Sequence, residues 1–424
     1  MSLDSTPLGR AKAGLDSCVH CGFCLPACPT YLALEDENDS PRGRLVLMGA
    51  LLDGSVAPDD PVVREHLDRC LGCRGCETAC PSGVPYGHLL EAARETLVAV
   101  RPLPRLARLV LAVLARPRLL GPALAVARLV RATGLATLGA RALPRRLAMP
   151  FAMLASTGRA APRPWTPTSD GARGTATLLT GCVMEGLFAG VNRATERTLT
   201  VNGWRMRTTV AQRCCGALHA HAGEAEAARA LARANIAAFD ASGADVVVMN
   251  SAGCGAMCKE YGRLLADDPL WAPRARAFAT RVRDIHELLA EAGPLPAPAP
   301  ADERSRPRVA YDAPCHLQHA QKVVTPPHAV LAASRQVLLV ALAESDQCCG
   351  SAGIFNLVQP GVAERVLAPK LAAITASGAQ VVATGNPGCL MQIGGGLVLN
   401  RSSAVTRHPV ELLDEGYARG RAPG

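Results

Sequence analysis

Eight cysteines in two short runs constrain this 424-residue chain more than any other feature. Cys18, Cys21, Cys24 and Cys28 stand in C-V-H-C-G-F-C-L-P-A-C-P, and Cys70, Cys73, Cys76 and Cys80 stand in C-L-G-C-R-G-C-E-T-A-C-P. Each run reads C-x2-C-x2-C-x3-C-P. Three thiolates two residues apart can wrap one corner of a 4Fe–4S cube. The fourth, displaced by x3 and followed by Pro, turns towards a second cube. The spacing therefore predicts crossed ligation. Cys18, Cys21, Cys24 and Cys80 hold one cluster, and Cys70, Cys73, Cys76 and Cys28 hold the other. Gly22, Gly72 and Gly75 let backbone approach the sulfides. Zinc is the competing reading, but structural zinc sites pair C-x2-C units across a longer gap. A chain with two such cluster sites moves electrons.

Seventeen cysteines with metal-type spacing point to a reducing compartment rather than a disulfide scaffold. The opening MSLDSTPLGR has no apolar signal core, so a cytoplasmic location is expected. The net charge of +9 is confined to one segment. Thr96 to Ser169 holds twelve Arg, no Lys and no acidic residue, and the rest of the chain is net acidic. That pattern argues against nucleic acid as a partner.

The expected fold class is α+β and multidomain: a helical two-cluster ferredoxin domain followed by two α/β cysteine-rich repeats. The first domain spans 1–96. The stretch between Cys28 and Cys70 is too long for a compact two-hairpin ferredoxin, and it reads as helix from Leu45 to Gly54 and from Pro61 to Arg69. An Arg-rich amphipathic connector spans 97–170. Its uncharged stretches fall well short of the roughly 20 residues of a membrane span. Pro117, Pro122, Pro144 and Pro150 should cut it into short helices. Arg101, Arg105 and Arg108 share one face, with Leu106, Leu109 and Val113 on another. Packing on the protein's own core, a partner surface and a membrane surface all fit this pattern.

Residues 171–294 and 307–424 form an internal repeat. The first repeat has Cys182, Cys214-Cys215-Gly216 and Cys254, and the second has Cys315, Cys348-Cys349-Gly350 and Cys389. Both close alike, with I-H-E-L-L at Ile285 and P-V-E-L-L at Pro409, and P-L-P-A-P-A-P from Pro294 is the linker. Strand patterns alternate with helix patterns, which implies parallel α/β units. The cysteines follow the strands, where open α/β sheets place their sites, so four per repeat should converge. Cys258 offers the first repeat a fifth thiol, and the second has Ile393 at the equivalent position. A metal or iron–sulfur site in one or both repeats competes with buried thiols packing as small hydrophobes. His219, His221, His316 and His319 adjoin these cysteines and suit proton handling or ligation. No dinucleotide or phosphate-binding loop is visible, and Gly394-Gly395-Gly396 reads as a loop.

Three stretches resemble the iron–sulfur subunits of bacterial glycolate oxidase in content and order. They are the cysteine runs with D-S-P-R-G-R between them, R-C-C-G-A-L-H with A-G-C-G-A-M, and D-A-P-C-H-L-Q-H-A-Q. The resemblance covers nearly all of the chain and is weakest from 97 to 170. It implies a subunit of a flavin-dependent 2-hydroxy acid dehydrogenase. FAD would sit on partner flavoprotein subunits that oxidise glycolate to glyoxylate. This chain, not catalytic alone, would pass electrons towards quinone or another respiratory acceptor at the inner face of the inner membrane. Its cofactors would be two 4Fe–4S clusters, with a further iron–sulfur or metal site in the repeats. The alternatives are the equivalent subunit of a lactate or glycerol-3-phosphate dehydrogenase, or a thiol–disulfide enzyme like heterodisulfide reductase. In that last family a final C-x2-C completes each site. Here it is C-x3-C in one repeat and missing from the other, which counts against a non-cubane cluster of that type.

Overall fold

The computed structural model describes residues 3–158 and 165–420. Its N-terminal part holds helices joined by irregular backbone, with no strand among the described residues. The helices Pro29–Leu34, Pro41–Leu52 and Pro61–Asp68 each begin with Pro at the first turn, where its missing N–H costs nothing. Ser40 caps the second by accepting from Gly43 N at 2.9 Å, and Asp60 caps the third by accepting from Val62 N at 2.8 Å. The longer helix Tyr86–Val100 follows the second cysteine run. Leu8, Met48, Leu67, Leu89 and Ala93 make the core, and Cys70 and Cys76 pack against it. The first run is irregular backbone and the second includes one short helix, Gly75–Thr78, both tied to a helical frame.

Two four-stranded parallel sheets follow. The first holds β1 (Thr175–Leu178), β2 (Arg205–Arg207), β3 (Val246–Met249) and β4 (Val282–Asp284), in the order β2-β1-β3-β4. The second holds β5 (Arg308–Tyr311), β6 (Leu338–Val340), β7 (Val381–Ala383) and β8 (Val405–Arg407), in the order β6-β5-β7-β8. The register repeats: Ala176 pairs with Val246, and Val309 pairs with Val381. Central strands such as Val247–Met249 are wholly buried, as parallel sheets covered by helices require.

The repeats interlock. The closing helix of the first, Ile285–Glu291, packs on Pro326–Ser334 of the second. The closing helix of the second, Pro409–Arg419, packs on Ala189–Val201 of the first. A shared core joins Leu178, Leu199, Leu288, Val330 and Leu413, and Arg197 pairs with Asp414 at 2.6 Å across it. The Pro-rich linker belongs to this core. Ala297 is fully buried, and its N–H donates to Ala333 O at 2.8 Å.

Two expectations are corrected. Gly394-Gly395-Gly396 lies inside the helix Pro387–Leu399, not in a loop. A Cβ at Gly395 would stand 2.8 Å from Met153 Cγ, so these glycines admit the neighbouring helix Arg145–Ser156. In the connector, Pro122 and Pro150 do not cut the chain. Each is the sixth residue of a helix, Pro117–Ala132 or Arg145–Ser156, where one ladder bond is lost and the other turns carry the helix. Arg159 and Arg163 of the connector lie outside the described residues.

Candidate functional site

The two cysteine runs are woven together around two adjoining cavities. Cys18, Cys21, Cys24 and Cys80 line the first, along with Cys76. Cys28, Cys70, Cys73 and Cys76 line the second. Each cavity thus takes three thiols from one run, joined by Cys76 and Cys80 of the other in the first cavity and by Cys28 in the second. Donors of this type and number fit a 4Fe–4S cluster in each cavity. Cys21 is exposed, so the first cavity reaches the surface, whereas Cys28, Cys70 and Cys76 are buried. Val19 and Phe23 stand beside Cys21 with 68% and 64% of their surface exposed.

The D-S-P-R-G-R stretch builds the second cavity. Arg44 is wholly buried. It donates to Asp39 at 3.0 Å, to Thr30 Oγ1 at 3.1 Å and to His66 O at 2.7 Å. Thr30 Oγ1 lies 3.2 Å from Cys28 Sγ, so the guanidinium fixes the loop that carries the crossing cysteine. Burial opposes the charge on Arg44, but Cys70, Tyr86, Cys28 and Asp39 outweigh it and push its pKa up. A permanent cation therefore sits where thiolates gather. Only Gly fits at position 43, because a Cβ there would fall 2.0 Å from Glu37 O. Two donors reach Cys70 Sγ: Gly72 N–H at 3.4 Å and the Tyr86 hydroxyl at 3.6 Å. Burial pushes the Cys76 thiol well up, and Cys70 and Cys28 add to the effect. A bound metal removes that penalty by taking the proton's place.

In each repeat the strand order reverses between the two central strands, β1 and β3 or β5 and β7. Loops leaving such a switch point diverge and open a crevice. Cys182 follows β1 and Cys254 follows β3, while Cys315 and Cys389 follow β5 and β7. The vicinal pairs arrive from the loops after β2 and β6. Gly216 and Gly350 turn these pairs at φ +85° and +80°, a backbone region that disfavours side chains. Cys182 Sγ lies 3.9 Å from Cys214 Sγ, and Cys215 Sγ lies 3.3 Å from Cys254 Sγ. In the second repeat Cys349 Sγ lies 3.2 Å from Cys389 Sγ. The S–H groups of Cys182 and Cys215 hold Cys214 well below its ordinary range. Cys315, Cys349 and Cys73 do the same for Cys348. The partners Cys182, Cys215, Cys315 and Cys349 are pushed well up in return. The thiols of each repeat therefore converge at one spot, and the same donor set suits a thiophilic metal.

Cys258, one turn beyond Cys254 on the helix Ala252–Lys259, makes no sulfur–sulfur hydrogen bond to this group among the described residues. It is fully buried in the core of the first repeat, and burial pushes its thiol up, with Cys254 and Cys214 pushing it further. The second repeat gains a fifth thiol of another kind. Cys73 of the ferredoxin domain packs against the apolar cluster that holds Cys348, and Cys348, burial and Cys315 push its thiol well up. Nothing in the local pattern around either residue signals this contact.

The four histidines fasten domains to one another. His219 Nε2 meets Leu111 O of the connector at 3.1 Å. His221 Nδ1 meets Glu91 at 3.0 Å, His316 Nε2 meets Gly72 O at 3.0 Å, and His319 Nδ1 meets Thr78 Oγ1 at 2.9 Å. Arg74, between Cys73 and Cys76, pairs with Glu260 of the first repeat. Arg94 binds His221 O at 2.9 Å and Cys70 O at 2.7 Å. The ferredoxin domain is thus clamped over the cysteines of both repeats.

Comparison with known proteins agrees with this arrangement. Residues 14–84 match the family model of the 4Fe-4S dicluster domain, and residues 176–259 and 309–394 match that of the cysteine-rich domain. The probable glycolate oxidase iron-sulfur subunit of Bacillus subtilis (strain 168) is 36% identical over 94% of this chain and 93% of its own length. The glycolate oxidase iron-sulfur subunit of Escherichia coli (strain K12) is 36% identical over 97% and 96%. The lactate utilization protein A of Exiguobacterium sp. (strain ATCC BAA-1283 / AT1b) is 30% identical over only 56% of this chain, so the lactate alternative is not favoured. Similarity that runs the full length of both chains, ferredoxin domain and repeats together, places this chain in the family of glycolate oxidase iron–sulfur subunits.

Proposed function

We propose that this chain is the electron-transfer subunit of a flavin-dependent glycolate dehydrogenase. It takes electrons from a flavoprotein partner that oxidises glycolate to glyoxylate and delivers them to a respiratory quinone at the inner face of the membrane. The chain has no catalytic residue of its own for the oxidation. Cys18, Cys21, Cys24 and Cys80 hold one 4Fe–4S cluster, and Cys28, Cys70, Cys73 and Cys76 hold the other. Each cluster, when bound, supplies one-electron redox chemistry. Cys182, Cys214, Cys215 and Cys254, and Cys315, Cys348, Cys349 and Cys389, hold a further metal or redox centre in the repeats.

The observation that carries this reading is the continuity of thiols. Cys21 opens the first cavity to the surface, Cys76 lines both cavities, and Cys73 lines the second while packing against the cluster that holds Cys348. Val19 and Phe23 offer an apolar rim at the open end, where a flavoprotein can dock. The test is to purify the complex anaerobically and follow the low-temperature EPR of its clusters as glycolate, lactate or glycerol 3-phosphate is added. Glycolate should reduce them fastest. Reduction by another donor but not by glycolate would overturn the substrate, and silence with every donor would overturn the electron-transfer role.

A further inference from the structure

The connector packs against the rest of the molecule with the wrong residues for a soluble helix. Its four helices are Arg105–Ala115, Pro117–Ala132, Leu135–Ala142 and Arg145–Ser156. The residues they bury are Ala107, Leu111, Ala136, Ala140, Ala148 and Ala152, five alanines and a single leucine. Several large side chains face outwards, while Leu124, Phe151 and Met153 are half-buried against Gly186, Gly139 and Gly395. Leu109, Val126, Leu129, Leu138 and Leu147 are each between 60% and 62% exposed. In the second helix no residue is buried, and Leu119, Pro122, Val126 and Leu129 follow at helical spacing along one exposed stripe. Ordinary surface helices do the reverse.

The connector's own charges have one sign, and Arg145 pairs with Glu364 of the second repeat. Arg105, Arg108, Arg116, Arg118, Arg141 and Arg146 are exposed, and none has an ion-pair partner among the described residues. No acidic residue lies between Thr96 and Ser169. Leu and Val interleaved with unpaired Arg is the composition of a helix lying in a lipid headgroup layer. Protein interfaces, by contrast, keep charge out of their centres. Among the described residues no single helix is long and apolar enough to cross a membrane. The first two connector helices together are apolar enough, but they meet at 104° and so suit a layer better than a span. The face is also rigidly held. Leu124 seats on Gly186, Arg131 donates to Thr157 Oγ1 at 2.8 Å, and Leu111 O is bonded to His219.

We infer that the connector is an in-plane docking face for an anionic bilayer. Its four helices lie at the headgroup level, with the Leu119–Leu129 stripe among the acyl chains and the arginines on phosphates. This inference rests on the electron-transfer reading above and gives it a direction. Gly186 follows Cys182 by one helical turn, and His219 follows Cys214-Cys215, so the inner side of the connector lies beside the thiols of the first repeat. An acceptor dissolved in the bilayer would be met there.

The test is co-sedimentation of the full cluster-loaded chain with vesicles of phosphatidylcholine, with and without phosphatidylglycerol. Binding should require phosphatidylglycerol and weaken with salt, since screening acts within roughly 10 Å. A variant with Leu119→Ser, Val126→Ser and Leu129→Ser should bind at least about tenfold more weakly. One with Arg105→Gln, Arg108→Gln, Arg116→Gln and Arg118→Gln should lose about as much. Both should keep their iron content and, joined to the flavoprotein partner, glycolate-dependent dye reduction. The second variant touches only exposed polar ends, so it stands as a test even where the first misfolds. The inference is overturned if the wild-type chain ignores anionic vesicles, or if the leucine variant binds them as the wild type does. It is also overturned if the leucine variant loses the flavoprotein partner instead, which would make the face a protein interface. Failure to bind vesicles with dye reduction intact removes the docking face alone, whereas absent dye reduction removes the electron-transfer reading.

Discussion

Cys73, in the second ferredoxin run, packs against the apolar cluster that holds Cys348, the first cysteine of the vicinal pair in the second repeat, and Cys348 pushes its thiol up. These residues are 275 positions apart in the chain. Cys73 also lines the cavity shared by Cys28, Cys70 and Cys76. One side chain therefore faces two thiol clusters, and it joins the ferredoxin domain to the repeat that lacks a counterpart of Cys258.

Cys348→Ser tests that junction. The substitution leaves the second cavity's own thiols in place, so the EPR signals of both ferredoxin clusters should survive. Transfer to a quinone analogue should fall by at least about tenfold, since a step made only through this contact is lost. Cys258→Ser, which alters a thiol bonded to none of the first repeat's other sulfurs among the described residues, should change transfer much less. Equal loss in the two variants would separate the junction from the electron path.

Under the proposed crossed ligation, Cys28 and Cys80 exchange clusters. Cys28→Ser should lose the cluster of the buried second cavity and spare the exposed one, and Cys80→Ser should do the opposite. Each should lower bound iron by about four atoms per chain. If Cys28→Ser removes the signal that Cys21→Ser also removes, ligation is not crossed.

Arg44 is the clamp of the second cavity. In Arg44→Ala, Asp39 keeps Arg69 at 3.2 Å but loses its buried partner. Breaking a buried ion pair by removing one side costs about 3–5 kcal/mol. Chemical denaturation should show that loss, and the cluster beside Cys28 should be released first on dilution. A stability change below about 1 kcal/mol would mean that the pair contributes little beyond its own desolvation.

Much of this arrangement is legible in local pattern. Metal-type spacing identifies the eight cysteines because a cubane needs its thiolates at fixed offsets. The strand-then-cysteine pattern places the repeat thiols at the mouths of the sheets, because parallel strands end on one side. Contacts between distant parts carry no such mark. The burial of Ala297 in the linker, the seating of Met153 on Gly395 and the packing of Cys73 against the cluster that holds Cys348 depend on how finished domains fit. The four histidines show the limit best. Their closeness to cysteines in the chain suggested proton handling, yet each spends a ring nitrogen on another domain. The inside-out packing of the connector is likewise invisible to periodicity, since Ala and Leu both count as apolar.

The clamp between domains should respond to acid through Glu91. Its carboxylate lies at the junction, bonded to His221 at 3.0 Å and paired with Arg263 at 2.6 Å. Burial raises its pKa, but the His221 hydrogen bond and the charges of His221 and Arg263 outweigh that and bring it to about 2, from an ordinary 4.5. A carboxyl whose folded pKa is depressed stabilises the fold fully above its unfolded value. That contribution fades as pH falls from 4.5 towards 2, because the unfolded chain takes up the proton first. The span corresponds to roughly 3 kcal/mol. Urea midpoints of the wild type and Glu91→Gln, measured side by side from about pH 7 to about pH 3, isolate the effect from any acid loss of clusters common to both. The variant should be less stable near neutrality, by a margin that stays level down to about pH 4.5 and then closes. A margin that stays constant down to the lowest pH would show that Glu91 acts through packing and not through its charge.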